Sequence, residues 1–229
     1  MKNWVLDLRT DFMKSLYGSY LTRIDHITTL YSVVAFNEKQ ISLTPDILDD
    51  SFEVPLSNNF RKWVTIKNKR DIVSSVQTGE LHQINCYQTI VSLVSNFEDL
   101  IDKIVYHFSV NKNEVSKAVP VSLSGEIDSP IIKKLHAVHS KLSMKSPILG
   151  KYETGYYYKI IKVRNCIIHR QGVPNCAELV LLKSWVSNGH IVFDHNQIDD
   201  FIHFFLMPLK SMIIQIDQYL LVKNDPAHS

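Results

Sequence analysis

Cysteine, glycine and net charge are all scarce in this chain of 229 residues. Its three cysteines, Cys86, Cys166 and Cys176, are too few and too irregularly spaced for a disulfide framework or a four-cysteine metal site, and they fit a reducing, cytoplasmic setting. Its seven glycines form neither a Gly-rich loop that could cradle phosphates nor the elbow of a serine nucleophile. The formal net charge is only +2, so the total announces no polyanionic partner, and a phosphate-binding surface must be argued from where the charges lie. No long apolar run is free of charge. The greasiest stretch, 201–222, is interrupted by His203, Lys210, Gln215, Asp217 and Gln218 and reads as an amphipathic helix, with no membrane contact expected. Asp7, Arg9 and Asp11 break up the first residues, which therefore read as neither signal peptide nor anchor.

What the chain does have is apolar periodicity. Hydrophobic residues make up 45% of it, enough at this length to bury a substantial core. Trp4, Leu8, Phe12, Leu16, Ile24, Ile27, Leu30 and Val34 recur at three- and four-residue spacings, which predicts one or two long helices, with Gly18 as a weak point. Residues 37–70, broken by Pro45 and Pro55, are expected to form short helices. Leu81, Ile84, Tyr87, Val91, Val94, Phe97, Ile101, Ile104 and Phe108 predict a long spine helix over about 72–109. Residues 111–128 mix Ser, Gly, Pro and charge and read as a loop.

Ser129 and Pro130 supply an N-cap and a first helical position for the next helix. A further helix begins near Lys151 and is stopped by Gly172 and Pro174. Asn175 and Glu178 have the spacing of a capping box. After a turn at 187–189 and a short extended stretch, a last helix runs over about 197–222, with a kink expected at Pro208. No alternation of strands and helices and no repeat is visible. The expected fold is all-α.

The string KVRNCIIHRQGVP, residues 162–174, concentrates chemistry in the last turns of one helix. At about 100° per residue, Arg164, Asn165 and His169 fall within an arc of roughly 140°. They combine a permanently charged fork, an amide able to orient a neighbour, and an imidazole able to exchange a proton near neutral pH, a set suited to phosphate chemistry. They are equally readable as the solvated polar rim of a helix end. The same helix carries Lys151, Lys159, Lys162 and Arg170 against the single acid Glu153, with Tyr152, Tyr156, Tyr157 and Tyr158 among them. Basic residues interleaved with aromatics can follow a single-stranded backbone and stack its bases. Lys162, Arg170 and Tyr157 are accordingly candidate substrate contacts. His136 and His139 lie three apart with no further ligand close in sequence, so neither a metal nor another cofactor is expected.

RNCIIHRQG resembles the signature of the HEPN superfamily (higher eukaryotes and prokaryotes nucleotide-binding domains): an arginine, a polar residue, and a histidine after four to six intervening positions, toward the end of a late helix in a small helical bundle. The resemblance covers residues 71–229 and leaves 1–70 as an N-terminal helical extension. It implies a metal-independent endoribonuclease that assembles across a homodimer, as in toxin–antitoxin or antiphage systems, with RNA as substrate and an antitoxin or other defence protein as a partner. It further implies that Arg164 binds the scissile phosphate, His169 moves protons, Asn165 positions one of them, and Glu98, in SNFEDL, pairs with the arginine. The alternative it allows is a non-catalytic dimer that binds RNA, nucleotide or protein.

Overall fold

The computed structural model describes residues 6–43, 51–55, 64–144 and 146–223. The order along the chain is α1 (Asp11–Leu43), β1 (Ser51–Pro55), β2 (Val64–Asn68), α2 (Lys69–Gln77), α3 (Glu80–His107) and α4 (Lys112–Lys117). There follow β3 (Val121–Ser122), β4 (Gly125–Glu126), α5 (Pro130–Lys141), α6 (Lys151–Arg170), α7 (Cys176–Leu181), a 3-10 turn (Lys183–Trp185), β5 (Val186–Ser187), β6 (His190–Ile191) and α8 (His195–Lys223). The fold is predominantly α-helical. Among the described residues the strands form three two-stranded antiparallel pairs, β1 with β2, β3 with β4 and β5 with β6, and no helix is long and apolar enough to cross a membrane.

Several elements differ from the expectation. α1 runs unbroken through Gly18 to Leu43. Where short helices were expected, β1 and β2 pair in register from Ser51 opposite Asn68 to Pro55 opposite Val64. The spine is two helices, α2 and α3, parted where Gly79 takes the left-handed conformation, φ 74°, which interrupts the backbone without disturbing the apolar spacing. The 111–128 segment is structured: Asn111 and Glu114 form a reciprocal capping box for α4, and β3–β4 make a tight hairpin. Ser129 and Pro130 take their expected places, yet the buried Ser129 hydroxyl makes no capping bond. The expected last helix is present as α8, which spans His195–Lys223 and includes Pro208.

The chain divides into two compact units, Met1–Ile27 with Ile90–Ser229, and Thr28–Thr89. The expected boundary at 70/71 falls inside the second of these units, and α1 and α3 each contain residues of both. The smaller unit is tied by buried polar bonds: the Asn85 amide donates to the Tyr31 carbonyl at 3.1 Å, and Glu38 lies 3.6 Å from Nδ1 of His82.

The larger unit holds the main core. Phe97 of α3 stacks on Tyr157 of α6 at 4.7 Å and meets Phe205 of α8 edge-on at 5.6 Å. Ile90, Leu93, Ile101 and Ile104 of α3, Ile132 of α5, Ile160 of α6, and Met212, Ile213 and Ile216 of α8 have no exposed surface. Met13 brings α1 into the same interior. The start of α1 is held by Asp217 of α8, whose carboxylate accepts from the Arg9 and Thr10 N–H groups at 2.8 and 2.9 Å and from the Thr10 hydroxyl. Burial alone would raise the Asp217 pKa; those hydrogen bonds outweigh it and hold the carboxyl below its ordinary value of 3.8.

Candidate functional site on helix α6

α6 is placed by its apolar stripe. Tyr157, Ile160, Val163 and Cys166 are fully buried, and their spacing by threes fits a helix with one flank in the core. Near its start the helix passes close to β3: a Cβ on Gly155 would sit 3.2 Å from Ser122 Cβ, so glycine permits the approach.

The end of α6 is fixed more firmly than its sequence signals suggest. Gln171 and Gly172 both take positive φ, 52° and 84°, and the Gly172 N–H reaches back to the Cys166 carbonyl at 3.2 Å, a six-residue closure of the last turn. The Gly172 carbonyl then accepts from Ile191 N–H at 2.9 Å. Arg170 donates through Nε to the Val173 carbonyl at 3.1 Å and through Nη2 to the Glu178 carboxylate. That carboxylate also accepts from Asn175 N–H at 3.0 Å, while the Asn175 side chain accepts from Glu178 N–H at 2.9 Å, which forms the expected capping box.

Burial corrects one candidate substrate contact, Tyr157, and pairing gives another, Arg170, a structural partner. Arg170 latches the end of α6 to α7, its charge already matched by Glu178. Tyr157 has no exposed surface; it stacks on Phe97 and donates its hydroxyl to the Phe204 carbonyl at 3.1 Å. It is a core residue with its polar tip satisfied.

Arg164, Asn165 and Glu98 do come together. Nη1 of Arg164 donates to Asn165 Oδ1 at 3.0 Å, and Nη2 donates to Glu98 Oε2 at 3.3 Å. Each partner is anchored by a buried neighbour in sequence, Arg164 by Val163 and Glu98 by Phe97, so α3 and α6 present the pair from rigid positions. The pair is partly open: the Arg164 side chain retains 24% exposure and that of Glu98 35%. Arg164 Nε is buried without a partner. Of the five N–H bonds of the fork, two are committed, and the others on Nη1 and Nη2 remain for a further acceptor. His169 is exposed on the last turn and makes no hydrogen bond or ion pair with the described residues. Lys162 lies 5.2 Å from the centre of the Tyr158 ring, within cation–π range.

The other titratable groups carry less. Burial raises the pKa of the Cys166 thiol against the opposing pull of a hydrogen bond from Arg170, so it is not a poised nucleophile. Burial first, then Asp200 and Tyr152, push the Tyr156 phenol up to about 12. Burial and then His139 lower the pKa of His136, and the two histidines gather no third ligand among the described residues. The Ser122 and Ser124 hydroxyls of the β3–β4 hairpin, 2.9 Å apart, flank the start of α6; the mixed composition of residues 111–128 carries no local signal for them. No family model, curated protein or solved structure matches this chain.

Proposed function

We propose that this chain is a HEPN-type endoribonuclease. The observation that carries the reading is the Glu98–Arg164–Asn165 constellation with an exposed histidine little more than one turn beyond it on the same helix. Glu98 and Asn165 restrain the guanidinium from two sides and leave N–H bonds to bind a phosphodiester, where a planar fork matches two oxygens. Charge accumulating on the phosphorane oxygens is then met by a fixed cation.

His169 takes the proton of the ribose 2'-hydroxyl as O2' attacks the adjacent phosphorus. The P–O5' bond breaks, and the departing 5'-oxygen receives a proton from the equivalent histidine of a second copy, so that one imidazole ends protonated and the other neutral. The products are a 2',3'-cyclic phosphate and a free 5'-hydroxyl. A two-fold homodimer would supply both histidines from one gene, and control by an antitoxin or another defence protein fits an activity that would otherwise harm its own cell.

Purified protein incubated with RNA and excess chelator tests this. The expected result is cleavage that falls by about 100-fold or more in His169→Ala and in Arg164→Ala, with helical content unchanged. Undiminished cleavage in both variants would assign the activity elsewhere.

A second reading is favoured by one specific observation: within a single chain Arg164 already has Glu98 and Asn165, and Arg170 has Glu178. A motif so engaged also suits a non-catalytic module that binds RNA, nucleotide or protein. Salt-sensitive RNA binding with no cleavage by wild-type protein would select it.

A further inference from the structure

The lysines of the larger unit fall into two groups, and those of α6 belong with Lys112, Lys117, Lys183 and Lys210, which have no ion pair among the described residues. Lys14, Lys103, Lys133, Lys134 and Lys141 each sit beside a carboxylate. Lys151, Lys159 and Lys162 have no ion pair among the described residues. Two of the three, Lys151 and Lys159, line a groove of about 300 Å³ together with Ser122, Ser124, Tyr152 and Tyr156. The Tyr152 ring is 61% exposed and lies 6.2 Å from Tyr156 at an interplanar angle of 21°. Asp200 acts on Tyr156, the Glu153 carboxylate turns back toward Gly150, and Asp128, which feels the charge of Lys162, is paired with Lys133; none of the three pairs with Lys151 or Lys159.

Helical geometry connects this groove to the candidate catalytic end. At about 100° per residue, Lys151, Tyr158, Lys162, Asn165 and His169 fall within roughly 60° of one another, and a rise of 1.5 Å per residue puts Lys151 about 27 Å from His169. One face of α6 thus runs from an unpaired cation, past a lysine lying over a tyrosine ring, to the exposed imidazole.

We propose that the groove is an anchoring subsite for single-stranded RNA, several nucleotides from the point of cleavage. Lys151 and Lys159 bind backbone phosphates, Tyr152 stacks a base, and the exposed Ser124 hydroxyl offers a hydrogen bond to sugar or base, while the buried Ser122 hydroxyl donates to the Gly125 carbonyl and shapes the hairpin. The strand then follows the Lys162 face to His169. Unpaired cations beside an open aromatic ring are the combination that holds a single strand with little sequence preference. The inference rests on the ribonuclease reading for its substrate, but it concerns binding and not chemistry, so the two fail separately.

Fluorescence anisotropy with a labelled oligouridylate of about ten residues tests it on the full chain, comparing wild type with K151A/K159A, Y152A and H169A. Lys151 and Tyr152 are exposed, and circular dichroism checks that each variant is folded. The expected result is tight, salt-sensitive binding by wild type and by H169A. The double-lysine variant is expected to bind about tenfold or more weakly, with a salt slope smaller by between about 1 and 2. Y152A weakens binding with the salt slope kept. Cleavage of a dinucleotide too short to reach the groove is unchanged in K151A/K159A, while KM for the long substrate rises. No binding by wild type, wild-type affinity and slope in the double-lysine variant, or equal affinity for a duplex of the same length, whose bases cannot reach Tyr152, would each overturn the subsite. Binding that depends on the groove without any cleavage would leave the subsite standing and remove the ribonuclease reading.

Discussion

The inner and outer flanks of α6 use the same residue types to opposite ends. On the inner flank, Tyr157 is sealed between Phe97 and Phe205 with its hydroxyl bonded. On the outer flank, Tyr152, five residues earlier, leaves most of its ring in solvent. The cations divide in a similar way: Arg170 is matched by Glu178 and fastens α6 to α7, while Lys151 and Lys159 have no carboxylate partner among the described residues. An aromatic or basic residue on this helix is therefore informative only once its flank is known. Burial and pairing turn the inner set into architecture and leave the outer set available to a ligand.

The sharpest way to break that contrast is to truncate both tyrosines. Tyr157→Ala should cost about 3–5 kcal/mol, the usual loss for deleting a large buried ring, whereas Tyr152→Ala should stay within about 0.5 kcal/mol; urea denaturation of the two variants measures both. Equal destabilisation would mean that the outer tyrosine also supports the core. Next in size is the polar tip alone: Tyr157→Phe should lose about 1 kcal/mol, since the Phe204 carbonyl then gives up its buried donor.

A comparable loss, about 1 kcal/mol, is expected for Asn175→Ala, which removes the side-chain acceptor from the first turn of α7 next to the Arg170 latch. On α3, facing Arg164 across from α6, Glu98→Gln should change stability by no more than about 1 kcal/mol, because the pair is partly solvated. Under the ribonuclease reading the same change reduces cleavage by loosening the guanidinium. A loss of stability with cleavage kept would make the Glu98–Arg164 pair a structural tie between α3 and α6.

Asp217 adds a pH-dependent contrast within the inner set. Its folded pKa lies below the ordinary 3.8, so its contribution to stability is fully present above that value and is lost as pH falls through the lower folded value. Unfolding free energies measured from about pH 5 down to about pH 2 should fall more steeply for wild type than for Asp217→Asn. Parallel curves would show that the clamp on the start of α1 carries no charge-dependent stability.

Much of this was legible in the sequence because helices announce their buried flank by spacing. α6, its stop at residues 171–172 and the Asn175–Glu178 box all follow from local signals. Tyr157 could have been placed correctly as well: with Ile160 and Ile161 it continues the apolar stripe at three- and four-residue steps, but its position among four tyrosines drew it toward the surface set. The Asn111–Glu114 box that starts α4 carries the same signature as the one at Asn175 and was masked by the surrounding Ser, Gly and Pro.

Other features had no local signal. The break at Gly79 leaves the apolar period intact, and the division between the two units crosses the middle of two continuous helices. Arg170 meets Glu178 only because α6 and α7 are folded against one another through the Gly172 turn. The pairing of Glu98 with Arg164, 66 residues apart, entered through a resemblance and is present in the geometry; the spacing of either residue alone did not require it.

The most direct measurement is the end chemistry of RNA exposed to purified wild-type protein and to His169→Ala in the presence of chelator. The account predicts 2',3'-cyclic phosphate and 5'-hydroxyl ends with wild type and almost none with the variant. Fragments ending in a 3'-hydroxyl, or cyclic ends formed equally by both proteins, would contradict it.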